Sequence, residues 1–566
     1  MRKLRFTIFG LLFLIFPFSN ALAQHQVVLD DFLTNGKFIN DEIAGDTLSN
    51  GARRDSAAVY VLKRGGIYEY DVSISNTGYP LVIQSNYDMS QSEKPIIIRA
   101  INTTTNTYPG SFATINNNVS LKNLVIIGME DDTSTSQVQG GILTTGSSGW
   151  NISVDSCILG DISGQILRTG NSTNSVKLTN NIFFNMGNLV TSNFGAGKGI
   201  DFRDVACDSV IIQNNTFVNS LDRIIRHLTS TASLNHVIFD HNTIVNSLAY
   251  HGLLSLGWVG ADVRITNNLF QDPFALGNDT DYTRQVEFIT NELDPYTGKL
   301  NRMAWIFTDT SKGNSATTNY VVSNNYYSIS DSGQAFFGRL YNQPGGLPIE
   351  YGLPPEGSPL TWFINKKIAD STKAFIKDNN IKLTNVPKLA TNLMAWYRSP
   401  NGGNKTKNTP TSKFDKNVDN YDMRTLQYFT DTLNCKYSTT VSAYTGSTNG
   451  GPVGDLNWWG MIQDVKYNPG NVVSNYTLSQ NYPNPFNPST KFSYSLPKSS
   501  IVSIIIYNSL GQIVTTLVNS EEQKAGNYDV NFNGKDSFGN SLASGVYFYQ
   551  LRTNEVTITK KMLLLK

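Results

Sequence analysis

Cysteine and net charge are scarce in this sequence. Its 566 residues contain three cysteines, Cys157, Cys207 and Cys435, and no CxxC or CxxH pair. Their number and spacing exclude a disulfide framework and a cysteine-based zinc site, so we expect buried thiols. Basic and acidic residues number 45 and 44. This balance gives no reason to expect a nucleic-acid partner, and we predict none.

Long hydrophobic runs are also missing, except at the N-terminus. There Arg2, Lys3 and Arg5 precede an apolar stretch over 8–16, and small residues follow at 21 and 23. The pattern predicts a secretory signal peptide over 1–23, cleaved before Gln24. Its removal leaves 42 basic and 44 acidic residues, a formal charge of −2. The mature chain is expected to have no membrane span.

What the sequence does contain is a repeated unit, in which an alternating strand is followed by a turn that begins with asparagine or histidine. The copies are Asn180-Asn181-Ile182-Phe183, Asn214-Asn215-Thr216-Phe217, His241-Asn242-Thr243-Ile244, Asn267-Asn268-Leu269-Phe270 and Asn324-Asn325-Tyr326-Tyr327. Successive second residues of the first four copies are 34, 27 and 26 positions apart. A strand-turn-strand unit at such a period predicts a parallel β-helix. Asparagine suits its turns because it tolerates left-handed backbone. Stacked asparagines are expected to form amide ladders, and Cys157 occupies the same position one coil earlier.

The first predicted coils resemble those of a known family. Their strands are Val59-Tyr-Val-Leu62, Leu81-Val-Ile-Gln84 and Lys94-Pro-Ile-Ile-Ile-Arg99. They resemble the opening coils of pectate-lyase-like β-helix proteins, and the resemblance extends over about residues 55–330. It implies a right-handed solenoid, in line with the general preference of parallel crossovers. It implies little about activity, because β-helices host lyases, hydrolases, adhesins and tailspikes.

From Tyr476 the sequence changes to a proline-rich run followed by short alternating strands. The strands are expected at 491–496, 502–508, 528–532, 544–551 and 557–565, and they predict a small antiparallel sandwich. The runs LSQNYPNPFNPST, IYNSLGQIV, AGNYDVNF, SGVYFYQL and TKKMLLLK closely resemble the type A C-terminal sorting domain of the type IX secretion system. The resemblance implies the type IX machinery as a partner, export through the periplasm, and removal of the tail. Release or attachment at the cell surface would follow.

The predicted fold class is therefore all-β: a right-handed parallel β-helix solenoid followed by a small C-terminal antiparallel β-sandwich. We expect a signal peptide at 1–23, an N-terminal cap at 24–56 and the β-helix at 57–330. Late coils, a C-terminal cover and a linker are expected at 331–470, and the sorting domain at 475–566. Within the cover, 370–380 has a weakly helical pattern, and Trp458 and Trp459 indicate a docked terminal loop. A monomer is expected.

A row of arginines one strand before the asparagine turns is the candidate site. Aligning the coils places Ile166-Leu167-Arg168, Asp201-Phe202-Arg203 and Ile224-Ile225-Arg226 at equivalent positions. Neighbouring strands are about 4.8 Å apart. Like charges at that distance repel by about 1 kcal/mol in water and by more where water is excluded. The row therefore needs carboxylates or an anionic ligand beside it. The nearby ionisable residues are Lys198, Asp201, Asp204, Asp222, Arg223, His227 and His251.

This constellation favours a lyase acting on an acidic polysaccharide. Arginine forks bind uronate carboxylates or sulfates in a bidentate manner. β-Elimination needs a cation or Ca²⁺ to neutralise the carboxylate, and a base within hydrogen-bond reach of the C5 proton. Polysaccharide lyases built on β-helices use basic residues in this way. We assign Lys198 as the base, His251 as the second candidate, and Arg203 and Arg226 as the carboxylate clamp. The expected substrate-binding residues are Arg168, Arg223, Asp201 and Asp222.

Three alternatives stay open. The row is a purely structural Asp–Arg network, or the chain is a non-catalytic surface adhesin or carbohydrate-binding solenoid. Otherwise it is a glycoside hydrolase that uses Asp201, Asp204 and Asp222, with acid and base roughly 6.5–9.5 Å apart. No metal ligand set is assigned, although Ca²⁺ is possible at Glu130-Asp131-Asp132. The discriminator is whether Lys198 or His251 shares one open groove with Arg203 and Arg226.

Overall fold

The computed structural model describes seventeen segments of the chain. These are 26–85, 93–130, 139–187, 197–227, 231–247, 253–273, 304–306, 317–331, 333–334, 367–368, 370–387, 432–461, 465–468, 475–498, 500–523, 526–536 and 540–565. Two compact units result: Gln26–Gln463 with Asn533–Ser544, and Asp464–Phe532 with Gly545–Lys566. The predicted signal peptide lies outside the described residues. Among those residues, neither α-helix has the length and hydrophobicity that crossing a bilayer requires.

Almost all regular structure in the first unit is β-strand. In chain order the strands are β1 Gln26–Leu29, β2 Val59–Leu62, β3 Ile67–Tyr70, β4 Ile74–Ser75, β5 Leu81–Ser85, β6 Ile96–Arg99, β7 Ala113–Ile115, β8 Val119–Lys122, β9 Val125–Glu130, β10 Gly141–Thr145, β11 Asn151–Asp155, β12 Ile158–Ile162, β13 Gln165–Arg168, β14 Thr173–Thr179, β15 Ile182–Met186, β16 Lys198–Asp201, β17 Cys207–Gln213, β18 Thr216–Ser220, β19 Ile225–Arg226, β20 Ser233–Asp240, β21 Thr243–Ser247, β22 Leu254–Thr266, β23 Leu269–Gln271, β24 Ala304–Ile306, β25 Asn319–Ser323, β26 Asn325–Ser328 and β27 Phe375–Lys377. Two short helices, α1 Phe32–Asn35 and α2 Ile39–Gly45, lie between β1 and β2. Within the described segments, single 3₁₀ turns occur at Ser371–Lys373, Ser442–Thr445 and Leu456–Trp459.

These strands wind into three parallel sheets, which confirms the predicted parallel solenoid. The first sheet contains β1, β2, β5, β8, β11, β14, β17, β20, β22 and β25. The second contains β3, β6, β9, β12, β15, β18, β21, β23, β26 and β27. The third contains β4, β7, β10, β13, β16, β19, β22 and β24. Each coil between β2 and β24 therefore contributes one strand to each sheet, and β22 continues from the third sheet into the first.

The core is the interior of the coils, and the period of two along each strand determines which residues enter it. In β14 the buried residues Val176 and Leu178 alternate with exposed or half-buried neighbours. Equivalent inward residues of successive coils stack, as the rings of Phe183 and Phe217 do at 4.8 Å. On α2, Ile39 and Ile43 belong to the same apolar core. A solenoid stacked in this way buries a continuous core without the size limit of a single globular domain.

The two residues of each asparagine turn have different tasks. The first adopts left-handed backbone, with φ of 59° at Asn180 and 53° at Asn214. The second is fully buried. Its side chain belongs to a ladder in which Nδ2 of each asparagine donates to Oδ1 of the asparagine in the next coil. The ladder runs from Asn181 through Asn215, Asn242 and Asn268 to Asn325, with bonds of 2.9, 3.0, 3.1 and 2.8 Å. The predicted amide ladder is confirmed. Cys157 is buried at its start, where its backbone N–H donates to Asn181 Oδ1.

A second ladder, which the sequence reading missed, lies at the opposite end of the second-sheet strands. It runs from Asp161 through Asn185 and Asn219 to Asn246, with bonds of 2.8, 2.9 and 3.1 Å. All four residues have positive φ, between 49° and 60°. The second sheet is thus bounded on both sides by polar stacks that satisfy buried amides.

The outer face of the second sheet is apolar and covered by two later segments, 381–387 and 432–461. Phe184, Val218 and Val245 pack against Leu433 and Cys435. Farther along the sheet, Leu269 and Tyr326 pack against residues of the same segments. These two segments therefore cover a side of the solenoid, whereas the sequence analysis expected a cover over its C-terminal end. The helical pattern at 370–380 was wrong, because this stretch forms a 3₁₀ turn and then β27, which pairs with β26.

The second unit consists of two four-stranded antiparallel sheets. Its strands are β28 Val465–Asn468, β29 Thr477–Leu478, β30 Thr490–Leu496, β31 Ser500–Asn508, β32 Ile513–Gln523, β33 Gly526–Phe532, β34 Gly545–Arg552 and β35 Thr557–Leu564. The orders are β28-β33-β30-β29 and β32-β31-β34-β35. The sheets contact through Phe492 and Tyr549, whose ring centroids are 4.4 Å apart. The predicted antiparallel C-terminal region is confirmed, while β28, β29 and β32 were missed.

Candidate functional site

One lateral position of the third sheet carries most of the candidate residues. The register pairs Thr144 with Arg168, Arg168 with Asp201, Asp201 with Arg226, and Arg226 with Ser255. Arg168 and Arg226 therefore occupy equivalent positions, as expected. The expected position of Arg203 was wrong, because Asp201 occupies that place in the intervening coil. The row alternates Arg–Asp–Arg, which removes the predicted repulsion between stacked guanidinium groups.

Inward packing explains this register. Ile200 is fully buried and stacks between Leu167 and Ile225 of the adjoining coils. Asp201 follows Ile200 and therefore alternates to the outer side of the strand. Arg203 lies two residues beyond, in the exposed turn after β16, with a left-handed φ of 44°. Its backbone N–H donates to Asp201 Oδ1 at 3.1 Å, which connects the turn to the row.

Arg226 and Asp201 form the ion pair at the middle of the row. Arg226 Nη1 donates to Asp201 Oδ1 at 2.9 Å. A second and longer contact of 3.8 Å joins Arg226 Nη2 to Asp204 Oδ2. Asp201 is 4% exposed, so its carboxylate is almost fully covered. Two carboxylates consequently neutralise Arg226.

Arg168 and Arg203 differ from Arg226 in their partners. Among the residues that the structure describes, neither guanidinium group forms a hydrogen bond or an ion pair. Arg168 is half-buried on the outer face of the third sheet, and Arg203 is exposed. Both flank the Asp201–Arg226 pair, one on the sheet and one on its turn. Their charges are thus available to an anionic ligand.

Lys198, Asp222 and Arg223 form a separate buried cluster at the corner between the second and third sheets. Lys198 Nζ lies 3.2 Å from Asp222 Oδ2, and Arg223 Nε lies 3.3 Å from the same oxygen. Arg223 Nη1 also donates to Ser255 Oγ at 2.9 Å. The side chains are 9%, 0% and 3% exposed for Lys198, Asp222 and Arg223. Two cations therefore share one carboxylate out of contact with bulk water.

Burial and the neighbouring charges have opposing effects on the pKa of Lys198. Burial lowers the pKa of Lys198, Asp222 opposes that shift, and Arg223 reinforces it, so that the net direction is downward. A lowered pKa is a property of lysines that act as bases. Lys198 is, however, nine-tenths buried, whereas Arg203 is exposed, so these two do not share one open groove in the described part of the chain. Asp222 is held by Lys198 and Arg223, and Asp201 by Arg226, and these contacts between described residues do not favour the hydrolase alternative.

The histidines and the calcium site considered above provide little further support for a catalytic site. His251 and Asp131-Asp132 lie outside the described residues. His227 is fully buried between strands, with Nδ1 at 3.0 Å from the Leu256 carbonyl oxygen, and burial lowers the pKa of its ring. Within the described segments, no group of three or more His, Cys, Asp and Glu side chains is arranged to hold a metal ion.

Sequence reasoning placed Ser255 in the row through the triplet Leu253-Leu254-Ser255, as the observed register bears out, but missed that Ser255 accepts a hydrogen bond from Arg223. It also missed Asp455 in the cover, a buried carboxyl that accepts from Thr216 Oγ1 at 2.7 Å. No sequence signal identified Asp455, because its partners on the second sheet, Thr216 and Thr243, are more than two hundred residues away in the chain.

One comparison with known proteins locates a match near the C-terminus of the chain. Residues 484–555 match the family model of the FlgD Ig-like domain. No curated protein sequence matches the chain. Among solved structures, FlgD from P. aeruginosa is 26% identical with a TM-score of 0.13. The likeness covers 17% of this chain and 73% of that one.

Two other solved structures come from Porphyromonas gingivalis. Dimeric latent PorU is 17% identical with a TM-score of 0.14, and the likeness covers 17% of this chain and 10% of PorU. PorZ, described as an essential bacterial surface component of the type-IX secretion system, is 14% identical with a TM-score of 0.12. That likeness covers 21% of this chain and 14% of PorZ. The chain therefore spans only a small part of both proteins.

Proposed function

We propose that this protein is a secreted or surface-displayed β-helix that binds an acidic, uronate-containing polysaccharide on the outer face of its third sheet. The observation that carries the proposal is the pair of uncommitted guanidinium groups, Arg168 and Arg203, beside the neutralised Arg226. Two such forks can each bind a carboxylate or a sulfate in a bidentate manner. The Asp201–Arg226 ion pair beside them keeps the surface from carrying three uncompensated positive charges.

Secretion and surface display rest on the N-terminal leader pattern and on the C-terminal sequence that resembles a type IX sorting domain. The type IX machinery is accordingly the proposed export partner. The sorting-domain motifs overlap the stretch that matches the FlgD Ig-like domain. Export is tested by cell fractionation of the full chain and of a variant that ends before Tyr476. Retention of the truncated protein in the periplasm supports the proposal, and equal export of both proteins contradicts it.

The binding test compares wild type with Arg168→Gln and Arg203→Gln in calorimetric titrations with pectate, alginate and glycosaminoglycan fragments. Each substitution is expected to weaken binding about tenfold or more, since it removes one charge-assisted contact. Affinity should also fall with added salt, because partly exposed charges are screened. The control is Lys177→Gln, which removes an exposed cation from the first sheet. Equal binding by all four proteins would exclude this surface.

β-Elimination is the second candidate function, and the lowered pKa of Lys198 favours it. Lys198 would then remove the C5 proton of a uronate, which requires this nine-tenths buried lysine to become accessible from the surface that carries the arginines, with Ca²⁺ as a possible additional cation. The test is the ultraviolet absorbance of unsaturated uronate products from the same polymers, with and without Ca²⁺. A rise that Lys198→Ala abolishes would establish a lyase. Binding without any rise would leave a carbohydrate-binding solenoid.

A further inference from the structure

The outer row of the third sheet continues well beyond the arginines. Upstream, Ser75 pairs with Thr114, and Thr114 pairs with Thr144, which pairs with Arg168. One lateral position thus carries three hydroxyl residues in consecutive coils and then Arg168, Asp201 and Arg226. Each alternates with buried residues of its own strand, as Thr144 does with Leu143 and Thr145. All six therefore belong to the outer face of the same sheet.

The equivalent row of the first sheet is different. Its outer position is occupied by Ser120, Ser153, Lys177, Ile211, Ile238, Arg264 and Val321. Apolar side chains are evidently tolerated on the outside of this solenoid. Stability therefore does not require the third-sheet row to be polar in every one of those six coils.

The hydroxyl groups of two of these three residues have no hydrogen-bond partner in the described part of the chain, whereas Ser75 Oγ accepts from Asn116 Nδ2 at 3.0 Å. Thr114 and Thr144 are half-buried, and among the described residues their hydroxyl groups form no hydrogen bonds. Together with Arg168 they place three free hydrogen-bonding groups at successive steps of about 4.8 Å along the solenoid axis. The six-residue row spans about 24 Å, since it contains five such steps. A linear polymer with a hydrogen-bonding group on every unit fits this spacing better than a compact ligand does.

We infer that the polysaccharide lies along the solenoid axis, with a uronate carboxylate at Arg168 and its neighbouring sugar hydroxyls over Thr144 and Thr114. This inference rests on the proposed function. It adds the direction in which the polysaccharide lies and divides the binding surface into a charged end and a hydroxyl end. The charged end recognises acidic groups, and the hydroxyl end recognises sugar hydroxyls without regard to charge. The ligand class is thus a polysaccharide in which an acidic unit is followed by several further sugars.

The test uses the full chain and two probes, a disaccharide and a longer oligosaccharide of the same uronic acid that exceeds the length of the row. Calorimetric affinities are compared for wild type and for Thr114→Val/Thr144→Val, which removes both hydroxyls at nearly constant volume. The long probe is expected to bind this variant about tenfold more weakly than wild type. The disaccharide is long enough to reach only Arg168 and Thr144, so the double variant should weaken its binding by less than that of the long probe.

The matched control is Ser120→Ala/Ser153→Ala, which removes two hydroxyls from the outer row of the first sheet and should change neither affinity. A long probe that binds no more tightly than the disaccharide, or is unaffected by the double valine variant, would overturn the axial placement. In that case loss of binding in Arg168→Gln would leave the proposed function intact. If wild type binds neither probe, both the proposed function and this inference fail.

Discussion

At the scale of single residues, the site is governed by how its charges are shared. Asp222 is fully buried, and its Oδ2 atom is the ion-pair partner of both Lys198 Nζ and Arg223 Nε. Ser220 Oγ and Ser247 Oγ donate to its carbonyl oxygen at 3.1 and 3.0 Å, which fixes the backbone there. Asp222 therefore positions two cations that a ligand or a proton transfer could use.

We predict that Asp222→Asn strongly destabilises the protein. The substitution removes the carboxylate and leaves two cations buried beside each other, which costs about 3–5 kcal/mol for a broken buried pair. The matched control is Asp331→Asn, whose partner Lys382 is exposed, so the loss should be less than about 1 kcal/mol. The measurement is the free energy of unfolding in urea. Equal losses in the two variants would contradict a special role for Asp222.

The three thiols should be unreactive in the folded protein. Burial raises the pKa of Cys157 to about 12 and of Cys207 to about 11, and it raises the pKa of Cys435 well above its ordinary value. Because the thiolate is the nucleophile, alkylation at neutral pH requires unfolding. Mass spectrometry after iodoacetamide treatment, with and without denaturant, measures this. Labelling of any cysteine under native conditions would show that its segment opens locally.

At the scale of elements, each turn around the second sheet combines a bend with a hydrogen-bonded stack. Asn214 supplies the left-handed bend, and Asn215 supplies the stack. The side chain of Asn215 donates to Asn242 and to the carbonyl oxygens of Leu178 and Gln213, and it accepts from Asn181. One amide therefore satisfies buried groups of three coils, which is why it recurs.

Asn215→Ala should cost about 2–5 kcal/mol of unfolding free energy, because it leaves several buried donors and acceptors without partners. The control is Asn319→Ala, which truncates an exposed asparagine in β25 and should change stability by less than about 0.5 kcal/mol. Thermal or urea unfolding followed by far-ultraviolet circular dichroism provides the measurement. A loss no larger than that of the control would mean that the ladder is dispensable.

At the scale of the solenoid unit, the cover over the second sheet joins residues that are distant in sequence. Asp455 accepts from Thr216 Oγ1 and from both nitrogens of Asn457, and its own N–H donates to Thr243 Oγ1. Trp458 Nε1 donates to Thr216 Oγ1 as well. Burial raises the pKa of Asp455 to about 7, although these hydrogen bonds and the nearby His241 act to lower it. The cover is therefore attached through a carboxyl group that titrates near neutrality.

The sign of the pH dependence follows from that shift. The folded pKa of Asp455 lies above its ordinary value, so its contribution to stability is complete at acid pH and is lost as the pH rises through about 7. Asp455→Asn resembles the protonated group and lacks this loss. Its free energy of unfolding relative to wild type should increase by about 2–3 kcal/mol between pH 5 and pH 8. A difference that stays constant over this range would refute the assignment.

Much of the fold followed from local sequence signals. The asparagine turns mark where each strand of the second sheet begins, and alternation within β14 or β17 shows which side chains enter the core. These signals act within one coil and repeat, so they can be read without knowledge of the rest of the chain. Cys157 could be placed for the same reason.

The register of the third sheet could not be read with the same certainty. The connection between β15 and β16 differs in length from those of its neighbours, so counting from the asparagine turn does not locate β16. Both Ile200 and Phe202 are apolar and inward-facing, and each could have matched Leu167. In the structure, Ile200 packs against Leu167 and Ile225. This register differs from the predicted one by two residues, so Asp201 and not Arg203 occupies the row.

By itself, then, the sequence determined the all-β class, the parallel coils, the amide ladder and the antiparallel C-terminal unit, because each depends on residues close together or on a repeat. Only the tertiary structure decided that Arg168 and Arg203 are uncommitted, that Lys198 is buried with Asp222, and that the cover attaches through Asp455. Those facts depend on which coils stack and which distant segment covers a face. Contacts of that kind are selected by packing and desolvation over the whole solenoid, and no local pattern encodes them.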